Sequence, residues 1–419
     1  MTAQIPASAL RKLTLIAIPI GVAAALGATL FLWLVEVAQR TMFEWLPNQL
    51  GMSHEPWWWS VIPLAVGTAL IGWAMRLPSG TGGGPLGGFH FDVPFRSVPA
   101  ALLAAFGSLA AGAALGPEAP LIIVGAALGG MFAIRSSDDT VRKALMFVGG
   151  IAAVGAVFGS PMVTAFMMLE FMALGAAPVA LLIPGLVALA TSYLTQIGAW
   201  SLPGLGVHSL SVPGLPNYPS IELGDFAGAA ITAIAATVLL TCVRQLGGLL
   251  ERIHNRTLIL WLSAAAIAAA FGCAIAFSVD PSLVLFSGNS GMAALVSETT
   301  IAAVALVLVL KLIAVTASLG GGFRGGAIFP ATFLGVAVGV LVHLMIPATG
   351  LAALAATGIA ASAAVMTRLP ATSSLLAVLL IAGTGPAIAP FAILGAVLGV
   401  FGRIASDKMN PAAGQMPAH

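Results

Sequence analysis

The chain has 419 residues, of which 59% are hydrophobic and only 7% charged, with a mean hydropathy of +1.07. Globular domains carry roughly a quarter charged residues, so there are too few ionisable groups to cover a soluble surface. A formal net charge of +2 offers no basic field for a nucleic-acid partner.

Apolar runs approaching the length needed to cross a bilayer, about 20 residues, recur along the chain. The first, 13–35, begins after Arg11 and Lys12 and lacks a small-residue cleavage site, so it reads as a retained helix. Runs at 57–75, 98–116, 119–134, 144–159, 161–174 and 177–199 follow. The second half has 226–246, 257–277, 299–318, 325–346, 350–366, 370–384 and 387–403. Several are too short to span, which predicts an all-α polytopic membrane protein with broken and re-entrant helices. Arg11, Lys12, "ERIHNR" (251–256), Arg403 and Lys408 mark inside segments by the positive-inside rule, placing both termini in the cytoplasm of a cell-membrane protein. The segment 201–220 has prolines but no Lys or Arg, as suits an external loop. Cys242 and Cys273 lie in apolar runs without metal-type spacing and read as small core residues. His90 and Asp92 lack further ligands nearby, so no metal and no cofactor is expected.

The halves of the chain resemble each other. "GIAAVGAVFGSP" (150–161) recurs as "GIAASAAVMTRLP" (358–370) with one residue inserted. "PLIIVGAALG" (120–129) recurs as "PATFLGVAVG" (330–339), both reading Pro-x4-Gly-x3-Gly. The distance from Pro120 to Pro161 is 41 residues and from Pro330 to Pro370 it is 40. This order and spacing predict a duplication with repeats at about 57–200 and 257–404, joined through an external linker at 201–225. The number of spans leaves open whether the repeats are inverted or parallel. Duplicated halves characterise transport folds, whose substrate sites lie where broken helices point their N-termini at the ligand.

Three Gly-rich breaks precede apolar helices: "LPSGTGGGPLGG" (77–88), "GPEAP" (116–120) and "GGGFRGGAIFP" (320–330). Unpaired N–H groups at a helix start, with the helix dipole, bind an anion without a full positive charge. Such binding is weak enough to allow release. Most of the 49 glycines must serve a different end, close helix packing in lipid.

Together these motifs resemble the CLC family of chloride channels and chloride/proton antiporters. The family's Gly-Ser-Gly-Ile-Pro falls on "TGGGP", Thr81 to Pro85. Its Gly-Lys/Arg-Glu-Gly-Pro falls on "GPEAP", Gly116 to Pro120, and its Gly-x-Phe-x-Pro on "GAIFP", Gly326 to Pro330. "FGSPMVTAFMMLEFM" (158–172) and "FSGNSGMAALV" (286–296) resemble the helix and short Gly-rich loop found at those places in the family. The resemblance implies an inverted duplication and a homodimer with one pore per subunit. It also implies anion contacts from Thr81, Gly82, Gly83, Gly84, Ala327, Ile328 and Phe329. There are departures. Gly82 stands where the family has an anion-coordinating Ser. Ile328 takes the place of the aromatic and Phe329 follows it. The family's pore tyrosine has no counterpart, since the only tyrosines are Tyr193 and Tyr218.

Glu118 is the residue least at home in its surroundings. A carboxylate in the bilayer costs several kcal/mol when ionised and unpaired, so it reads as functional. Its charged form competes for the N–H groups an anion would use, and the resemblance assigns it the gating and proton-carrying role. Glu170, nine residues after Pro161, is replaced by Leu379 at the matching place in the second repeat. The internal proton acceptor of coupled relatives aligns with Phe171, and one residue is a rotation of about 100° on a helix. Chloride or small-anion flow gated by Glu118, with weak or no proton coupling, is therefore expected. Proton-coupled antiport with Glu170 as substitute acceptor is the alternative. Arg324 either draws anions or snorkels to water, and Arg368 is expected to bond helix-end carbonyls. A rival enzyme reading rests on Ser290 in "GNSG" with His343 as base, an intramembrane protease dyad. It accounts for neither Glu118 nor the duplication, and no enzymatic activity is expected.

Overall fold

The computed structural model describes residues 7–52, 54–77, 80–134, 138–199 and 211–409, so residues 201–210 of the expected linker lie outside the described part. Among the described residues, seven helical stretches are long and apolar enough to cross a membrane: Leu10–Gln49, Val179–Gly198, Leu223–Glu251, Arg256–Ala276, Ile301–Gly320, Ile328–Met345 and Pro386–Met409. Between them lie shorter apolar helices, Val61–Ala74, Val98–Ala110, Glu118–Met131, Pro161–Ala173, Leu351–Thr367 and Pro370–Leu380. At 1.5 Å per residue a 14-residue helix such as Glu118–Met131 reaches about 21 Å, short of the ~30 Å hydrocarbon core. Its ends can lie at membrane depth only where protein or a water-filled cavity covers them.

Proline sets several of these starts. Pro161 and Pro370 each occupy the first position of a helix, where the missing N–H is no loss. Ser160 caps the first of these helices through the Met162 N–H. The second has no cap from its own segment and takes one from the other repeat, as described below.

The duplication appears as paired contacts offset by a constant register. Gly116 and Gly326, equivalent by the Pro120–Pro330 alignment, form an isolated antiparallel bridge. The Gly116 N–H donates to the Gly326 carbonyl at 2.8 Å, and the Gly326 N–H to the Gly116 carbonyl at 2.5 Å. The Arg324 N–H donates to Ser108 Oγ at 2.8 Å, and the Ala114 N–H donates to Ser318 Oγ at 3.0 Å. These two bonds exchange under the same offset, so a two-fold relation holds through the centre of the chain.

Each repeat contains the same glycine crossing. A methyl group on Gly125 would lie 2.1 Å from the Gly149 carbonyl oxygen, and one on Gly335 would lie 2.1 Å from that of Gly358. The backbones of Glu118–Met131 and Asp139–Val154 touch there, as do those of Ile328–Met345 and Leu351–Thr367. Glycine alone permits that approach. Outside, large apolar side chains such as Leu15, Trp33, Leu194, Ile234 and Val238 are exposed, as a lipid-facing surface requires. Cys242 and Cys273 are also exposed on their helices, which corrects their reading as core residues.

Candidate anion pathway

Glu118 begins its helix at the Gly116–Gly326 bridge and is 0% exposed. Its side chain crosses to the other repeat, where Oε1 accepts the Phe329 N–H at 3.0 Å. The backbone N–H groups of Ile328 and of Glu118 itself also face the carboxylate. Among the described residues Oε2 has no hydrogen-bond partner. The bridge glycines make room for it: a methyl group would lie 1.7 Å from Oε2 if placed on Gly326 and 2.1 Å if placed on Gly116. Ile328 and Phe329 thus face the carboxylate at the start of the Ile328–Met345 helix, whose N-cap residue is Ala327.

Two cavities adjoin this centre. The first, about 900 Å³, is lined by Pro117, Phe329, Phe286 and Ser290, with Glu44, Glu55 and Asp280 on its wall. The second, about 450 Å³, is lined by the Thr81–Pro85 loop, His90, Ala119, Pro120 and Arg324. Pro117 belongs to one lining and Ala119 to the other, so Glu118 stands between them. The expected anion contacts therefore fall into two groups. Thr81, Gly82, Gly83 and Gly84 line the second cavity, while Ile328 and Phe329 face Glu118 and Ala327 precedes them as the helix N-cap residue.

Gly82 has φ 74, a left-handed conformation that L side chains rarely adopt. The loop as folded here therefore disfavours the family's serine at this position. The adjacent residue Thr81 offers a hydroxyl, and its Oγ1 accepts from Arg324 Nε at 3.1 Å and Nη2 at 2.9 Å.

Lys311 was not singled out in the sequence and is 0% exposed. Its Nζ donates to the carbonyls of Val284, Leu285 and Phe286 at 3.1, 2.8 and 2.9 Å, which uses all three of its protons. The Phe333 ring lies 4.9 Å away. The lysine thereby holds the segment that forms part of the first cavity's wall. A lone lysine inside an apolar helix was the available signal, since such residues are rare and expensive in a membrane.

The remaining residues have structural settings. Glu170 caps the Pro370–Leu380 helix: Oε1 accepts the Ala371 N–H at 2.8 Å and Oε2 the Thr372 N–H at 2.7 Å, with the Thr372 hydroxyl adding a 2.5 Å contact. Phe171 packs edge-on against Phe89 and Phe91, with centroids at 5.6 and 5.5 Å. Arg368 pairs with Asp407, where helix-end carbonyls were expected. Arg403 takes that role, donating to the Val365 carbonyl at 2.7 Å. Asp92 pairs with Lys143 at 3.1 Å and His90 Nδ1 lies 3.1 Å from the Gly88 carbonyl. The Tyr218 hydroxyl donates to Asp225, and burial beside that carboxylate pushes the phenol up to about 12. Ser290 lines the first cavity, whereas His343 Nδ1 donates to the Thr349 carbonyl at 2.8 Å.

Broken helices related by a two-fold, with a buried carboxylate between two cavities, define a duplicated membrane ion transporter or channel. The family model described as voltage gated chloride channel matches residues 83–401, and the chain belongs to that family. It is a channel or transporter and not an enzyme. Among curated relatives, "Putative ion-transport protein YfeO" of Escherichia fergusonii is 29% identical over 371 residues, covering 85% of each chain. The protein of the same name in Escherichia coli K12 matches to the same extent. Among solved structures, a slow cyanobacterial Cl-/H+ antiporter superposes with a TM-score of 0.77 at 17% identity, covering 97% of this chain and 99% of its own. A CLC-type fluoride/proton antiporter gives 0.69 at 17% identity, covering 95% and 96%. These likenesses show the fold, an inverted repeat of broken helices.

Proposed function

We propose that this protein moves chloride or another small anion across the cell membrane between the two cavities, with Glu118 as the gate. The observation that carries the reading is the placement of that carboxylate. It is fully buried between the cavities, with one oxygen on the Phe329 N–H and the other without a hydrogen-bond partner among the described residues. As an anion, Glu118 holds the backbone donor that a permeating ion would use; once protonated, it can give that donor up.

The second cavity is assigned to the cytoplasmic side, because Arg324 on its lining lies near Glu251 and Arg256 in the positively charged 251–256 segment. Both termini are assigned to the same side. Repeats at about 57–200 and 257–404, linked through 201–225, fit the contact pairs, and a homodimer with one pathway per subunit follows the family pattern. Proton coupling is weak or absent in this reading. Phe171 is packed among aromatic rings, and Glu170 is engaged by three donors as a helix cap. The test is anion efflux from liposomes containing purified protein, measured with chloride, fluoride and nitrate at several external pH values. An absence of flux with all three would overturn the reading.

A further inference from the structure

The two cavities differ in how their cations are held. Arg324 lines the second cavity and corresponds under the repeat offset to Ala114, whereas the arginine on the first cavity's lining is Arg40, ion-paired with Glu36 and set among Glu44, Glu55 and Asp280. Arg324 is firmly seated. Its backbone N–H is held by Ser108 Oγ at 2.8 Å, and its side chain donates twice to Thr81 Oγ1.

A threonine hydroxyl has two lone pairs and one hydrogen. With both lone pairs taken by Arg324, the Thr81 O–H is left to act only as a donor. The guanidinium carries five N–H donors in a fixed fork and spends two on Thr81. Thr81 is 7% exposed, and both residues line the same cavity as the Gly82–Gly84 backbone. Glu251 stands on the other side of Gly84. A methyl group on Gly84 would lie 2.4 Å from Glu251 Oε1 and 3.4 Å from Arg324 Nη1, so glycine is needed for the carboxylate to approach.

We propose that Arg324 and Thr81 form one coordinating unit for a small monovalent anion at the mouth of the second cavity, with Glu251 as the competing intramolecular anion. This rests on the reading of the protein as an anion transporter and adds the residue pair that captures and discriminates the ion. Arginine is suited to the task because its guanidinium is weakly hydrated and releases water readily. The Glu251 carboxylate limits how tightly the site can hold its ion.

The test compares chloride efflux and calorimetric chloride titration of the detergent-solubilised dimer for wild type, Arg324→Gln, Thr81→Val and Thr81→Ser. Arg324→Gln and Thr81→Val should each raise the half-saturating chloride concentration about tenfold, the loss of one charge-assisted bond. The double variant should be no worse than either single one, because the two act together. Thr81→Ser should stay within about threefold of wild type. Glu251→Gln should lower the half-saturating concentration. Unchanged half-saturation in Arg324→Gln, or additive losses in the double variant, would overturn the proposal. If Arg324→Gln does not fold, the contrast between Thr81→Val and Thr81→Ser decides in the same way. If wild type moves no anion, the broader functional reading fails, and the chloride titrations still decide for or against the binding unit.

Discussion

Glu118 Oε1 accepts the Phe329 N–H at 3.0 Å, tying the first residue of one repeat's broken helix to the start of the other's. Each helix begins at the Gly116–Gly326 bridge, so the carboxylate occupies donors that belong to its two-fold mate. Charge on this side chain and an anion at the same N–H groups are mutually exclusive.

Glu118→Gln should therefore abolish most of the dependence of flux on external pH. At alkaline pH, where the native acid is ionised, the variant should pass anions about tenfold faster, corresponding to loss of one hydrogen bond to a charged group. Efflux rates of both proteins across a pH series give the answer, and a full native pH response in the variant would remove Glu118 from the gate.

Gly326→Ala tests the room left for that acid. The added methyl would lie 1.7 Å from Oε2, so the carboxylate must leave its place or the bridge must open. Overpacking of this kind costs about 1–3 kcal/mol. A lower melting temperature together with pH-insensitive flux is expected; native melting and native gating would contradict the geometry.

Lys311→Met should be among the most damaging single changes away from Glu118. It strips the Val284, Leu285 and Phe286 carbonyls of their shared donor. Buried groups left unsatisfied cost about 1–3 kcal/mol each. Thermal unfolding of the purified protein should show a loss of about 3 kcal/mol or more, and a change under 1 kcal/mol would refute the anchoring role.

Glu170→Gln separates a cap from a proton acceptor. As a cap on Ala371 and Thr372, its loss should cost about 1–2 kcal/mol of stability. The reversal potential under a pH gradient should be the same in wild type and variant. A pH-dependent reversal potential in wild type that vanishes in Glu170→Gln would instead make Glu170 a proton acceptor.

Glu55, on the wall of the first cavity, is pushed up to about 7 by burial and by the nearby charges of Asp280 and Glu44. Folding thus favours its protonated form. Its contribution to stability is fully present below the unfolded value of 4.5 and is lost as pH rises through about 7. Glu55→Gln should flatten the fall in melting temperature between those limits. An unchanged profile would show that Glu55 does not titrate there.

Much of this was legible in the amino-acid sequence because it is written in local patterns. A charge inside an apolar run, as at Glu118, declares its cost wherever the chain goes. The Pro-x4-Gly-x3-Gly repeat and the Gly-Pro breaks carry helix starts and close packing within a few residues, and these determined the fold class and drew attention to Glu118. What sets each polar residue's role is the partner that offsets its burial, and those partners are remote. Thr81 and Arg324 are 243 residues apart, Glu170 and Ala371 are 201 apart, and the carbonyls on Lys311 come from a loop 25 to 27 residues earlier. No periodicity encodes such distances. Only the tertiary structure, by folding one repeat against the other about a two-fold, made Glu170 a helix cap and set Arg324 beside the Gly-rich loop, and by packing the second half on itself paired Arg368 with Asp407.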